Sequence, residues 1–147
     1  MVLCMVRFEY LEDEAIADIA FKAYGGTINE LFLNAAMATA NLQTDIELLD
    51  DNEVRYLQFE KSDLDRLLKE FLSEILFYKD AELLFAKDFE IDVSEIDEGY
   101  KFEGKLIGGI FDPSKHPMHN DLKAITWHDF KVSRLEDSWQ CYVLIDI

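Results

Sequence analysis

The spacing of the hydrophobic residues changes near the middle of this 147-residue chain, and this change limits the folds that it can adopt. Between Leu64 and Leu76 they recur every three or four residues, which is the pattern of an amphipathic helix. From Leu83 to the C-terminus they alternate with polar residues, as in half-buried strands. A long helix followed by a run of strands predicts an α+β architecture.

The residues before this helix predict one more helix and further strands. The segment 8–24 has the interrupted alternation of strands, and Gly25-Gly26 ends it. Thr27 and Glu30 have the spacing of a capping box, so a helix is predicted to begin there. Its expected buried stripe consists of Leu31, Ala35, Ala38 and Leu42. The segment 53–61 is predicted to be another strand.

The other predicted elements lie between Ser62 and the C-terminus. Ser62 is expected to cap the long helix. The later strands are predicted over residues 83–93, 100–106, 122–132 and 139–145. Gly108-Gly109 indicates a bulge or bend. Residues 112–121 form the longest segment without a periodic pattern, and functional residues are expected there.

The resulting order is β-α-β-α followed by strands. We therefore predict two helices packed on one face of a largely antiparallel or mixed β-sheet. No low-complexity tract or break in composition divides the chain, and 50% of its residues are hydrophobic. A chain of this length can bury a sizeable core, so residues 1–147 are predicted to form a single compact domain.

Acidic residues dominate the charge of the chain. Its 31 Asp and Glu residues and 14 Lys and Arg residues give a formal net charge of −17. Nucleic-acid binding requires cations that neutralise phosphates, so direct binding is not expected unless a local basic patch opposes the average. An acidic field favours metal cations or basic protein faces, or serves solubility alone.

The expected location is the cytoplasm. The first ten residues have too short an apolar run for a signal peptide, and no run is long enough to span a membrane. Cys4 and Cys141 lie near opposite chain ends and match no zinc or redox spacing. Cys141 falls in an alternating apolar run, so it is predicted to be a core residue with a reduced thiol.

The histidines and the known catalytic patterns do not indicate an enzyme. His116 and His119 are three residues apart, but Pro117 prevents a regular helix from placing them on one face. His128 is predicted to be a hydrogen-bonded structural residue on a strand. The sequence contains no HExxH, no GxSxG and no phosphate-binding loop.

Three carboxylates are the candidate site. Asp18 and Asp146 each lie in an apolar strand pattern, where aspartate is uncommon, and Ile147 carries the terminal carboxylate. If these strands are neighbours, the carboxylates gather in one place. Two negative charges about 4 Å apart repel by roughly 4 kcal/mol at an effective dielectric of about 20. Protonation or a divalent cation would relieve this, and oxygen ligands favour Ca²⁺, Mg²⁺ or Mn²⁺. The alternative is that both aspartates point to water at strand edges.

Several short segments, taken in order, resemble those of the archease family. They are Phe8–Leu11 (FEYL), Ala17-Asp18, Ala23–Gly25, Thr27–Ala36, Lys115–Pro117, Lys123–His128 and the ending Ile145–Ile147. The family usually carries an acidic residue, His and Thr before the Ala-Asp pair. Here those positions read Glu14-Ala15-Ile16, with Glu12 and Asp13 inserted upstream, so the family histidine is missing.

The resemblance implies an α/β protein that assists the GTP-dependent tRNA-splicing RNA ligase. Archeases promote the guanylylation and turnover of this ligase, and a chaperone-like role toward a tRNA methyltransferase is also attached to the family. The family's metal ligands fall on Asp18, Asp146 and the terminal carboxylate of Ile147. Ca²⁺ is the implied cation, with Mg²⁺ and Mn²⁺ as alternatives.

We therefore expect a non-catalytic, metal-binding activator of the ligase. Lys115, His116 and Lys123 are the candidate partner contacts. The acidic surface is expected to steer the protein to a basic RNA-binding face of the ligase. Two alternatives stay open: a small metal-dependent phosphoesterase acting through His116 or His119, and a holding chaperone that recognises exposed apolar surface.

Overall fold

The computed structural model of the protein describes residues 7–11 and 17–147. In this part of the chain, no helix is long and apolar enough to cross a membrane. The strands and helices are β1 (Phe8–Leu11), β2 (Asp18–Gly25), α1 (Ile28–Asn41), β3 (Glu53–Lys61), α2 (Leu64–Glu82), β4 (Leu84–Ile96), β5 (Gly99–Ile110), β6 (Ala124–Ile125), β7 (Lys131–Arg134) and β8 (Trp139–Asp146). A 3₁₀ turn, Ile46–Leu48, lies between α1 and β3. Cys4 and the segment 12–16, with its departure from the family pattern, lie outside the described residues.

The described strands form two antiparallel sheets. In the five-stranded sheet, β1, β2, β8 and β6 follow one another, and β7 pairs with a different part of β8. In the three-stranded sheet, β5 lies between β3 and β4. The predicted α+β class with two helices is confirmed, but the strands are divided between two sheets instead of lying in one. Alternation along a strand shows which residues share a face, and it does not show which strands pair.

One main hydrophobic core connects the two sheets through the helices. α1 contacts β2 and β8 of one sheet and β4 of the other, while α2 contacts β4, β5 and β6. Phe71 of α2 is fully buried in this core. Its ring centroid lies 6.2, 5.5 and 4.4 Å from those of Phe32, Phe89 and Phe102. Because the core includes residues from both helices and both sheets, the described elements pack as one unit.

Thr27 caps α1 as predicted. Its hydroxyl oxygen accepts a hydrogen bond from the amide of Glu30 at 3.1 Å, which satisfies one of the free amides at the helix start. Gly25 touches the same turn so closely that an added Cβ would lie 2.3 Å from the nitrogen of Leu31. Only glycine fits there. The predicted stripe is buried, as seen for Leu31, Ala35, Ala38 and Leu42.

The N-cap of α2 and the start of the strand after it each differ from the prediction by one residue. Asp63, not Ser62, is the N-cap, because its carboxylate accepts a hydrogen bond from the amide of Arg66 at 2.8 Å. A carboxylate also interacts favourably with the positive end of the helix dipole. At the other end Leu83 has a left-handed backbone (φ 55°) and its side chain is 53% exposed. It is the C-cap of the helix, so the following strand begins at Leu84.

The irregularity predicted at Gly108-Gly109 lies in the neighbouring strand. β5 continues to Ile110, whereas β4 is bulged between Ala86 and Asp88. A Cβ on Gly108 would lie 2.0 Å from the carbonyl oxygen of Phe85. The glycine therefore allows the bulged strand to approach closely.

The single strand predicted over residues 122–132 is two short strands. β6 and β7 are separated by a turn, Trp127–Phe130, whose end residues are joined by a 3.1 Å backbone hydrogen bond. Asp129 in this turn has a positive φ of 53°. His128 lies in the same turn with its side chain 70% exposed, so its predicted place on a strand was wrong.

Replacing Phe71 by alanine is expected to lower the free energy of unfolding by about 3–5 kcal/mol, because the surrounding rings cannot fill the cavity. Phe77 of the same helix is 56% exposed and provides the control. The Phe77→Ala change is expected to cost about 0.5 kcal/mol or less. Urea unfolding followed by circular dichroism measures both. Equal effects at the two positions would contradict the core described above.

Candidate functional site

Asp18 and Asp146 face each other across the ladder between β2 and β8. They are direct partners in the register, so the condition that their strands be neighbours is met. The amide of Ile147 donates to the carbonyl oxygen of Ala17 at 2.8 Å. This makes Asp18 and Asp146 a non-hydrogen-bonded pair, in which the Cα atoms are about 4.5 Å apart and the side chains share one face.

This aspartate pair lies on the sheet face that points away from the core. Ile19 and Ile145 pack into the core, and side chains alternate along a strand, so both aspartates project from the opposite face. Each is half-buried. Within residues 7–11 and 17–147, no basic side chain forms an ion pair with either carboxylate. Like charges directly opposite each other destabilise a sheet, and a bound cation would relieve this repulsion.

The C-terminus is held beside the aspartate pair. The amide of Ile147 is bonded to Ala17, and its side chain packs against the main core. The main chain of Ile147 is therefore fixed directly after Asp146. Among the described residues, no three side chains of His, Cys, Asp or Glu are grouped to hold a metal ion. The third predicted ligand, the terminal carboxylate of Ile147, is not a side chain, and its part in a metal site stays a prediction.

Lys123 lies at the same end of the ladder. Its amide donates to the carbonyl oxygen of Asp146 at 2.8 Å, and its side chain is exposed. The preceding residues are fixed by Lys79 of α2, whose buried ammonium group donates to a carboxylate oxygen of Asp121 at 2.8 Å and to the carbonyl oxygen of Leu122 at 2.7 Å. Burial lowers the pKa of Lys79, but hydrogen bonds to carboxylates outweigh burial and the pKa is raised overall.

Lys79 is not among the candidate residues predicted from the sequence, although a signal for it exists there. It continues the apolar stripe of α2 four residues after Ile75. A lysine at a core position needs acceptors that compensate for its burial. That requirement predicts a partner, but the partner's identity depends on the tertiary structure.

His116 is part of the fold, which corrects its assignment as a partner contact. Its side chain is buried, with 6% exposure, and its Nδ1 accepts a hydrogen bond from the amide of Asp112 at 2.9 Å. Nε2 is therefore the protonated nitrogen, and it donates to the carbonyl oxygen of Leu48 at 3.1 Å. Because both ring nitrogens bond to main-chain groups, His116 ties the loop that contains it to the main chain at Leu48.

Lys115 is exposed in the same loop. This loop packs against the end of α1, where the hydroxyl of Thr44 donates to the carbonyl oxygen of Pro117 at 2.6 Å. No contact between described residues joins Lys115 to the aspartate pair. Of the two predicted lysines, only Lys123 has a contact with the aspartate pair among the described residues, and this contact is through its main-chain amide.

Within the described part of the chain, His119 and His128 each lie beside an aspartate outside the pair, and Cys141 is buried in the core. His119 Nε2 lies 2.7 Å from a carboxylate oxygen of Asp45, and His128 Nε2 lies 3.4 Å from one of Asp129. The prediction that Cys141 is a core residue is confirmed, since it is 1% exposed. Burial raises the pKa of its thiol to about 12, which keeps it protonated and unreactive near neutral pH.

The chain is similar along nearly its whole length to proteins called archease. The sequence profile of the Archease protein family matches residues 8–147. Protein archease from Pyrococcus abyssi is 36% identical over 144 residues, which cover 97% of this chain and 100% of that protein. Protein archease from Methanopyrus kandleri is 34% identical over 136 residues, 92% and 97% of the two chains. The solution structure of Methanobacterium thermoautotrophicum protein 1598 matches with a TM-score of 0.83 and 30% identity, covering 96% and 99% of the two chains.

In buffer that contains a chelator, Asp18→Asn or Asp146→Asn is expected to raise the free energy of unfolding by about 0.2–1 kcal/mol, because either change removes the like-charge contact. The second substitution should add little once the first is made, and a double-mutant cycle from urea unfolding measures this coupling. Glu95→Gln is the control, since Glu95 lies opposite Tyr100 instead of another acid. Loss of stability in both aspartate variants, with additive effects, would contradict the pairing of the two charges.

Proposed function

Because the chain belongs to the archease family, we propose that it is a non-catalytic, metal-binding activator of the GTP-dependent tRNA-splicing RNA ligase. In this role it promotes the guanylylation and turnover of the ligase during the joining of tRNA halves. One observation carries the proposal: Asp18 and Asp146 are paired in register, and the C-terminus is anchored beside them. These are the positions at which the family resemblance expects the metal ligands.

The donor set suits a hard divalent cation. Two side-chain carboxylates and the terminal carboxylate of Ile147 provide only oxygen ligands, which Ca²⁺, Mg²⁺ and Mn²⁺ prefer. We favour Ca²⁺, because it accepts six to eight oxygen ligands in a flexible arrangement. Three carboxylates leave some of these positions open to water or to groups of a docked protein. When bound, the cation supplies positive charge that neutralises the facing aspartates.

The charge of the chain supports a protein partner with a basic face. A net charge of −17 accelerates encounter with the basic RNA-binding face of a ligase, most strongly at low salt. Lys123 is exposed next to the carboxylates and would contact the ligase there. Lys115 lies in a separate loop, so it would contact the ligase only across a wider interface.

Adding two residues, Gly-Ser, after Ile147 is expected to abolish Ca²⁺ and Mn²⁺ binding. The extension converts the carboxylate of Ile147 into an amide and moves the new carboxylate away from Asp18 and Asp146. Ile147→Val keeps both the carboxylate and the apolar side chain, so this control should bind as the parent chain does. Isothermal titration calorimetry measures all three proteins. Equal binding by the parent and extended chains, or none by either, would remove the three-carboxylate site and leave family membership as the only support.

Ligation assays test the function itself. We expect the chain to increase the number of turnovers of the ligase on tRNA halves with GTP, and to have no turnover alone. Asp146→Asn should lose most of this stimulation, whereas Glu95→Gln should keep it. Hydrolysis of a phosphate ester by the isolated chain would favour the phosphoesterase alternative. Protection of unrelated unfolding proteins without ligase stimulation would favour the holding chaperone.

A further inference from the structure

A small concavity between α2 and the β6–β7 turn carries positive charge in a protein whose net charge is −17. Its volume is about 180 Å³. The residues that line this Trp127 pocket are Lys61, Arg66, Lys69, Glu70, Ser73 and Trp127. Three of them are cations and one is an anion. A larger concavity of about 650 Å³ on the three-stranded sheet has the opposite balance, with Lys105 against Glu90, Asp92 and Glu103.

The cations of the Trp127 pocket are available to an anionic ligand. Lys69 Nζ lies 5.0 Å from the centroid of the Trp127 ring, and it forms no ion pair within the described part of the chain. Lys61 is paired with Glu70 at 3.2 Å, and Arg66 is paired with Asp63, which does not line the pocket. Exposed pairs of this kind contribute little to stability, so an incoming anion exchanges with them at small cost.

Trp127 presents a fixed aromatic surface, and the ammonium group of Lys69 lies over its ring. Its side chain is 54% exposed, although large aromatic side chains are usually mostly buried. The ring is supported by Phe130 in an edge contact, with centroids 5.5 Å apart and an interplanar angle of 75°. The backbone hydrogen bond that closes the Trp127–Phe130 turn also restricts its position. A restrained, exposed indole is a surface on which a planar group can stack.

We propose that the Trp127 pocket binds a short segment of single-stranded RNA. A base would stack on Trp127, and the adjoining phosphates would contact Lys69 and Arg66. Cations that follow the backbone and an aromatic surface for the base are the two elements by which proteins hold single strands without reading their sequence. The acidic surface beyond the pocket repels the flanking nucleotides, so only a short segment is held. The pocket is thus the local basic patch that opposes the average charge.

The RNA site is separate from the carboxylates and goes beyond the activator role. Lys69 and Lys79 are ten residues apart on α2, about 15 Å along the helix axis. None of the residues that line the Trp127 pocket belongs to the aspartate pair, so the two proposed sites use different side chains.

Titration of the full chain with octauridylate at low salt tests this proposal. The chain has two tryptophans, so the indole N–H signals of Trp127 and Trp139 in ¹H–¹⁵N spectra report the two places separately. We expect the Trp127 signal to shift and the Trp139 signal to stay. Trp127→Ala is expected to weaken binding about tenfold through lost stacking. Lys69→Gln should also weaken it and, as an exposed substitution, serves if the tryptophan variant is unstable.

A matched control exists on the three-stranded sheet. Lys105 Nζ lies 5.4 Å from the ring centroid of Tyr56, whose side chain is 75% exposed. This is the same kind of cation–aromatic pair, but it lies in the acidic concavity. Tyr56→Ala and Lys105→Gln are therefore expected to leave octauridylate binding within about twofold of the parent chain, because no cationic pocket surrounds them.

Three outcomes would overturn the proposal. They are no shift of the Trp127 signal at millimolar octauridylate, equal affinity in the parent and Trp127→Ala chains, and binding of a polyglutamate peptide as tightly as RNA. The last outcome would assign the pocket to an acidic protein segment. The ligase and divalent cations are absent from this assay, so its failure is distinguishable from failure of the activator proposal.

Discussion

The antiparallel ladder between β2 and β8 joins residues 18–25 to residues 139–146, and the candidate site exists because of its register. On the inner face of this ladder Phe21 and Val143 are fully buried in the main core. On the outer face the same register sets Asp18 opposite Asp146. A slip of one strand by one residue would turn its aspartate toward the core, where an unpaired carboxylate is strongly disfavoured. Burial of the apolar face therefore determines where the charges meet.

Two features break the usual rule that charged side chains are exposed or paired with opposite charges, and both lie near the end of the β2–β8 ladder that contains Asp146. The first is the aspartate pair, where like charges face each other in a strand ladder. The second is Lys79, a cation at a buried position, which fixes the residues that lead to Lys123 beside Asp146. Sequences usually agree with their fold at every level, and departures concentrate where function requires them. Their convergence here supports the carboxylate end of the ladder as the functional part of the fold.

Much of the fold could be predicted from spacing alone, because helices and strands impose short periods on their own residues. The stripe of α2, the Thr27 cap and the buried Cys141 were predicted correctly for this reason. Predictions were wrong where a distant contact overrides a local pattern. Gly108 permits a bulge in the neighbouring strand instead of bending its own, and the turn before β7 interrupts a run that alternates as one strand.

The sequence by itself determined the α+β class, both helices, most strand positions and the three carboxylates as candidates. Only the tertiary structure decided that the strands form two sheets, that His116 is buried against the carbonyl of Leu48, and that Lys123 reaches Asp146 while Lys115 does not. It also placed the ammonium group of Lys69 over the ring of Trp127. The physical reason is separation along the chain. Periodicity is set by residues two to four positions apart, whereas the pairing of Asp18 with Asp146 joins residues near opposite ends of the sequence.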